Sequence, residues 1–215
     1  MHPEHVTTAR RALDAHGLQA VRVATVVNFP DGGRDPGRVT RETRRALGAG
    51  ADEIDLVLPW RALLAGDEAA VEAVLAAGRA ACPGRVLKVI LETGMLEAPG
   101  LIRRAGELAL AHGADMLKTS TGKVAVNATP EAAAVLLELL ADRGGLAGLK
   151  IAGGVRTLDD AATYFALADR HLGPDWATPA RFRIGASGLM QALRAALGEP
   201  SNAEAAARGG DAYAR

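Results

Sequence analysis

The sequence predicts an α/β protein made of repeated strand–helix units with a parallel sheet. Short apolar runs recur about every 30 residues, the length of a strand, a crossover helix and two loops. Helix start signals punctuate the stretches between them, and the composition does not break along the chain.

Six strands are expected, at Val21–Val27, Glu53–Leu58, Arg85–Leu91, Asp115–Thr119, Gly148–Ala152 and Arg181–Gly185. Most are apolar on both faces, as parallel strands covered by helices should be. Asp35-Pro36 places a capping carboxylate before a first-turn proline, and Thr129-Pro130-Glu131 repeats the device with an early acid. Thr157 is followed by Asp159 and Asp160, which favour a helix N-terminus there. Two strand entries also echo one another, Gly50-Ala51-Asp52 and Gly113-Ala114-Asp115.

Units of this kind close into a (β/α)8 barrel or spread into an open doubly wound sheet. The open sheet normally carries a glycine fingerprint after its first strand, and none is present. A barrel needs eight strands and typically about 250 residues; six strands are readable in these 215 residues. The expectation is a (β/α)8 TIM-barrel type fold lacking its first two βα units. Residues 1–197 would form one barrel domain, with 198–215, rich in Ala and Gly, as a flexible C-terminal tail. An N-terminal portion would be missing from the chain, and Val21–Val27 and Arg181–Gly185 would be left as open sheet edges. A homo-oligomer formed through those edges is expected.

Bulk properties narrow the function. With 25 acidic and 25 basic residues interspersed, no nucleic-acid surface or anionic membrane is indicated as partner. The single Cys82 excludes an internal disulfide and a cysteine-clustered metal site. Neither a signal peptide nor an apolar run near 18 residues is present, so a cytoplasmic protein is expected. His2, His5, His16, His112 and His171 are dispersed, which indicates no metal centre, and no cofactor is expected.

The lysines are the most informative residues. Only Lys88, Lys118, Lys123 and Lys150 are Lys; the other 21 basic residues are Arg. Three of the four lie inside predicted strands. Arg stays protonated, whereas a buried Lys can lose its proton and act as nucleophile or base. Four consecutive strands carry Asp55, Lys88, Lys118 and Lys150 at mid-strand. One such Lys could simply snorkel to a strand end, but four charges in successive covered strands point to a site. Parallel strands lie roughly 4.8 Å apart, so these side chains can converge at one mouth of the sheet. There, repulsion between Lys118 and Lys150 would lower the pKa of one of them, and apolar walls would lower it further. A neutral amine attacks carbonyls to form a Schiff base, and Asp55 with an ordered water could move the protons.

Small-residue turns follow the last two readable strands: Gly153-Gly154-Val155-Arg156 and Gly185-Ala186-Ser187-Gly188. Each exposes backbone N–H groups and opens a helix, as an anion site requires. A lone Gly-Gly turn is more often a tight connection, but two beside the Lys pair suggest a phosphate seat. Lys123, in Ser120-Thr121-Gly122-Lys123, would add a counter-charge or stand as a solvated loop residue.

These stretches resemble the deoxyribose-phosphate aldolases, class I aldolases of the (β/α)8 fold. The resemblance rests on Glu53-Ile54-Asp55-Leu56-Val57, on Leu87-Lys88-Val89-Ile90-Leu91-Glu92-Thr93-Gly94 and on the long run from Leu117-Lys118-Thr119-Ser120-Thr121-Gly122-Lys123 to Pro130. Leu149 to Arg156, Arg183 to Ser187 and Val23 to Pro30 extend it, so that it spans about Pro3 to Leu197. It implies Lys118 as Schiff-base nucleophile, Lys150 as the second Lys that tunes it, and Asp55 as proton carrier. Lys88, Thr121, Gly122, Lys123, Gly153, Gly154, Arg156, Gly185, Ser187 and Gly188 would contact substrate. The implied reaction is reversible cleavage of 2-deoxy-D-ribose 5-phosphate to acetaldehyde and D-glyceraldehyde 3-phosphate. Ile151 stands where members often have Pro, and Gly188 where a second Ser often follows Ser187. Some bacterial members end in a Tyr that assists proton transfer, and Tyr213 is similar in kind. Two other readings fit the same residues: a lysine-dependent barrel aldolase with another donor, and a silent partial barrel that binds sugar phosphates.

Overall fold

The computed structural model of the chain describes residues 1–198. Its sheet consists of β1 (Ala24–Val27), β2 (Glu53–Val57), β3 (Val86–Ile90), β4 (Met116–Lys118), β5 (Gly148–Ala152) and β6 (Phe182–Gly185). The strands lie side by side in chain order and every neighbouring pair is parallel. Among the described residues no ladder joins β6 to β1. The sheet is therefore a curled half-barrel of six strands, of TIM-barrel type, with β1 and β6 as its edges.

The expected strands are all found: β5 keeps the bounds read, and the other five are trimmed. Val21 belongs to a turn, its amide donating to Leu18 O at 3.0 Å, so β1 begins only at Ala24. Asp115 precedes β4 and caps its neighbour instead, with Oδ2 accepting from Leu87 N at 2.7 Å.

A 3-10 turn at Pro3–His5 leads into α1 (Val6–Ala15). The sheet's outer layer is formed by α2 (Pro36–Gly48), α4 (Glu68–Ala81), α6 (Pro99–Ala111), α7 (Pro130–Asp142) and α8 (Leu158–Leu172). Two short helices, α3 (Trp60–Leu64) and α5 (Thr93–Leu96), follow β2 and β3, and α9 (Ser187–Ala196) follows β6. The start signals act as read. Asp35 accepts from Gly37 N at 2.8 Å, and Thr129 Oγ1 accepts from Ala132 N at 3.1 Å. Thr157 and Asp160 form a reciprocal capping box.

Alternation along the strands divides the molecule into two environments. Ile54, Leu56, Leu87, Val89, Leu117, Leu149 and Ile151 are fully buried in the apolar core. Truncating one of them, such as Leu117, to Ala should cost about 2–5 kcal/mol through lost burial and the cavity left behind. The intervening positions Glu53, Asp55, Lys88, Lys118, Lys150 and Arg183 place their charges inside the curl, where their side chains meet.

Candidate active site

Asp55 is the centre of the site. Its Oδ2 accepts from Lys118 Nζ and from Lys150 Nζ, each at 2.8 Å, while Oδ1 accepts from Lys88 Nζ at 2.7 Å. The four residues expected to converge do so, with one difference in detail. Asp55 pairs in register with Lys88, and Lys118 with Lys150, but Lys118 stands opposite Ile90. Lys88 therefore lies one side-chain layer below the other two amines. Stagger between strands accompanies curling of a sheet, so Lys88 meets Asp55 in register while Lys118 and Lys150 reach it from the next layer.

Two further charged residues, which sequence reasoning missed, join the cluster: Glu53, one layer below Lys88, and Arg183, the register partner of Lys150. Glu53 Oε2 lies 2.6 Å from Lys88 Nζ and 2.6 Å from Arg183 Nη1, so the charges run Arg183, Glu53, Lys88, Asp55 and then the two amines. The signal was present in both cases. Glu53 stands two residues before Asp55 and so on the same face of β2, and Arg183 is a charge inside a predicted strand.

Burial and charge oppose one another here. Asp55 is 2 % exposed. That burial alone would push its carboxyl up, but the ammoniums of Lys118, Lys150 and Lys88 outweigh it and hold the group far below the usual carboxylate range. Glu53 follows the same pattern: burial raises it, and Arg183 and Lys88 bring it below its ordinary value. For Lys150 burial wins. Desolvation lowers its pKa, Asp55 opposes this, and the neighbouring Lys118 lowers it further. Two acids, Glu53 and Asp55, thus face four bases, Lys88, Lys118, Lys150 and Arg183. The interior favours either the release of an ammonium proton or an anionic ligand.

The loop after β4 is pinned from β3. Glu92 is fully buried and has left-handed backbone at φ 58°. Its carboxylate accepts from Thr121 N at 3.1 Å and from Thr121 Oγ1 at 2.6 Å. Thr121 Oγ1 in turn accepts from Lys123 N at 3.0 Å. Gly122 and Lys123 are exposed beyond this anchor.

The two small-residue turns leave the sheet together, because Ala152 and Gly185 are register partners. Gly153 has φ 86°, and a Cβ there would stand 2.7 Å from Asn127 Cβ, so only glycine fits this approach. At Gly154, φ 90°, an added Cβ would meet only Ala128 O at 3.9 Å, and at Gly188 it would meet nothing. Gly185 sits against Lys150, where an added Cβ would lie 3.1 Å from Cε. The Arg156 amide donates to Asp160 Oδ2 at 2.9 Å as part of the α8 cap. The Ser187 side chain lies outside the described part of the structure, as do Tyr213 and the tail beyond Gly198.

A parallel barrel sheet with paired amines on one carboxylate at its mouth defines a class: barrel enzymes with the groups for lysine-dependent carbonyl chemistry. Comparison with known proteins gives the family. Residues 1–193 match the DeoC/LacD family aldolase model, and the chain belongs to that family. It is 52 % identical over 204 residues to the deoxyribose-phosphate aldolase of Agrobacterium fabrum, an alignment covering 94 % of this chain and 78 % of that one. The apo crystal structure of a Toxoplasma gondii ME49 protein assigned to the deoxyribose-phosphate aldolases superposes with a TM-score of 0.84 at 29 % identity, covering 94 % of this chain and 81 % of the other. A deoxyribose phosphate aldolase from Aeropyrum pernix shares the fold, with a TM-score of 0.70 at 23 % identity over 91 % of this chain and 75 % of that one.

Proposed function

We propose that the chain is a Schiff-base aldolase that reversibly cleaves 2-deoxy-D-ribose 5-phosphate to acetaldehyde and D-glyceraldehyde 3-phosphate. The observation that carries the reading is the sharing of Asp55 Oδ2 by Lys118 and Lys150 at 2.8 Å each. The shared oxygen offers a direct route for a proton between the two amines.

In this reading Lys118 attacks the aldehyde carbon of the open-chain sugar as a free amine. Loss of water leaves a protonated imine. A base takes the proton of the C3 hydroxyl, the C2–C3 bond breaks, and its electron pair flows into the imine to form an enamine. Glyceraldehyde 3-phosphate leaves, the former C2 is protonated, and water releases acetaldehyde and the amine. Lys150, whose pKa is lowered, suits the role of proton acceptor, with Asp55 relaying protons between the amines. Lys88 holds Oδ1 of Asp55 so that Oδ2 faces both amines. The Gly153-Gly154 and Gly185 to Gly188 turns, with Lys123, would receive the 5-phosphate. Open edges at β1 and β6 support self-association of the chain.

The test is direct. Purified chain mixed with deoxyribose 5-phosphate should release acetaldehyde, read by coupled reduction with NADH. Absence of acetaldehyde from folded protein would overturn the reading.

A further inference from the structure

Outside the curl, in the helical layer, α6 and α7 leave between them a cleft of about 260 Å³. None of the amines, nor Asp55, lines it. Its walls are apolar, with Ile102 from α6, Val135 from α7 and Val126 from the loop after β4. Its polar groups are few, and two buried oxygens among them lack partners. Thr93 lines the cleft at 2 % exposure, and its Oγ1 makes no hydrogen bond among the described residues. The buried Oδ1 of Asn127, another lining residue, has none either. A buried polar atom without a partner costs on the order of 1–3 kcal/mol, which a ligand donor would recover.

The remaining lining groups set the sign of the ligand. Glu97 and Glu131 are both exposed and form no ion pair among the described residues, although the chain pairs many of its other acids. Glu97 is held at φ 54°, ψ −55°, with Ala98 N donating to Leu96 O at 2.6 Å, the strained form of the γ-turn. At the start of α7, Thr129 Oγ1 already takes the Ala132 amide.

We infer that this cleft is a second ligand site, for a small organic ammonium with an apolar body and a hydroxyl at its far end. The ammonium sits between Glu97 and Glu131, the body fills the space between Ile102 and Val135, and the hydroxyl donates to Thr93 Oγ1 or Asn127 Oδ1. The volume lies just under the roughly 300–1,000 Å³ of ordinary small-molecule sites, which suits a ligand of about ten heavy atoms.

Tyramine has this form and serves as probe, titrated calorimetrically into the whole chain. Sugar phosphate is omitted because Asn127 also packs against Gly153 of the phosphate turn. Saturable binding is expected, several-fold weaker for 2-phenylethylammonium, which lacks the hydroxyl, and lost for 3-(4-hydroxyphenyl)propanoate, which reverses the charge. Glu131→Gln, at an exposed position, should weaken tyramine about five-fold or more, within the range of a charge-assisted contact. Val135→Trp should fill the cleft and abolish binding, whereas Lys118→Arg should leave it intact. Overturning results are no saturable binding, equal binding of the propanoate, unchanged affinity in Glu131→Gln, or loss of binding in Lys118→Arg. The last would place the ligand at the amine mouth instead. If Val135→Trp fails to fold, the Glu131→Gln and propanoate arms still decide.

Discussion

The Arg183 guanidinium on β6 reaches across the curled sheet to within 2.6 Å of Glu53 on β2, 130 residues earlier in the chain. Glu53 is also the counter-ion of the wholly buried Lys88, so one carboxylate ties the edge strand to the charges beneath the amines. Breaking a buried pair leaves an uncompensated charge, a loss of about 3–5 kcal/mol. Glu53→Gln should therefore lower the unfolding free energy obtained from urea titration by that order, and the midpoint with it, while keeping the group's shape. An unchanged midpoint would mean that the link carries no stability.

The same acids set the response to low pH. Glu53 and Asp55 both have folded pKa values below their ordinary ones. Their contribution is complete above the unfolded values of about 4 and is lost as pH falls through that range toward the folded values. Urea midpoints measured from pH 6 downward should hold and then fall below about pH 4. A midpoint that stays level in acid would contradict this assignment of the lowered carboxyls.

Borohydride trapping locates the nucleophile. With acetaldehyde or deoxyribose 5-phosphate, reduction should attach a stable adduct to Lys118 alone, read by peptide mass. Lys118→Arg should take no label despite keeping its charge, since guanidinium does not form the imine. Label on Lys88 or Lys150 would transfer the role to that residue.

Proton transfer should separate from imine formation. Asp55→Asn keeps the shape but removes the charge that both amines share. Some trapping should survive while turnover falls roughly 10²-fold or more. Full turnover in Asp55→Asn would rule it out as the main proton carrier.

Lys150 should appear in the pH–rate profile. Because burial lowers its pKa, the basic form that accepts a proton is present below the ordinary lysine value of about 10.4. The kcat/KM of the chain should rise with pH and level off below that value, and Lys150→Met should lose the rising limb. An identical profile in the variant would assign the limb to another group.

Phosphate recognition is testable by comparing two sugars. Free deoxyribose should be a much poorer substrate than its 5-phosphate. Gly154→Val places a branched side chain at a φ of 90°, which disfavours it, and should raise KM chiefly for the phosphorylated sugar. Equal losses for both would make the turn structural only.

The order of elements was legible because it rests on local rules. Helix caps such as Asp35 and Thr157 act through hydrogen bonds to amides two or three residues away, so their effect is written in adjacent residues. Apolar runs of strand length, repeated at a crossover's spacing, define parallel units before any contact is known. Asp55, Lys88, Lys118 and Lys150 stood out for a related reason: a charge inside a covered strand is costly wherever it occurs, and only pairing or chemistry retains it.

What the local pattern could not contain was the third dimension of the sheet. The step that sets Lys118 opposite Ile90 and lowers Lys88 by a layer depends on stagger between strands, and no residue encodes that alone. The Arg183–Glu53 pair depends on how far six strands curl, a sum of small twists. The kind of strand, the order of the units and the residues whose burial demands a reason all follow from patterns along the chain. Tertiary structure alone decided which charges meet, because electrostatic partners are chosen by distance in space, and at the centre of a curled sheet that distance is set by all the strands together.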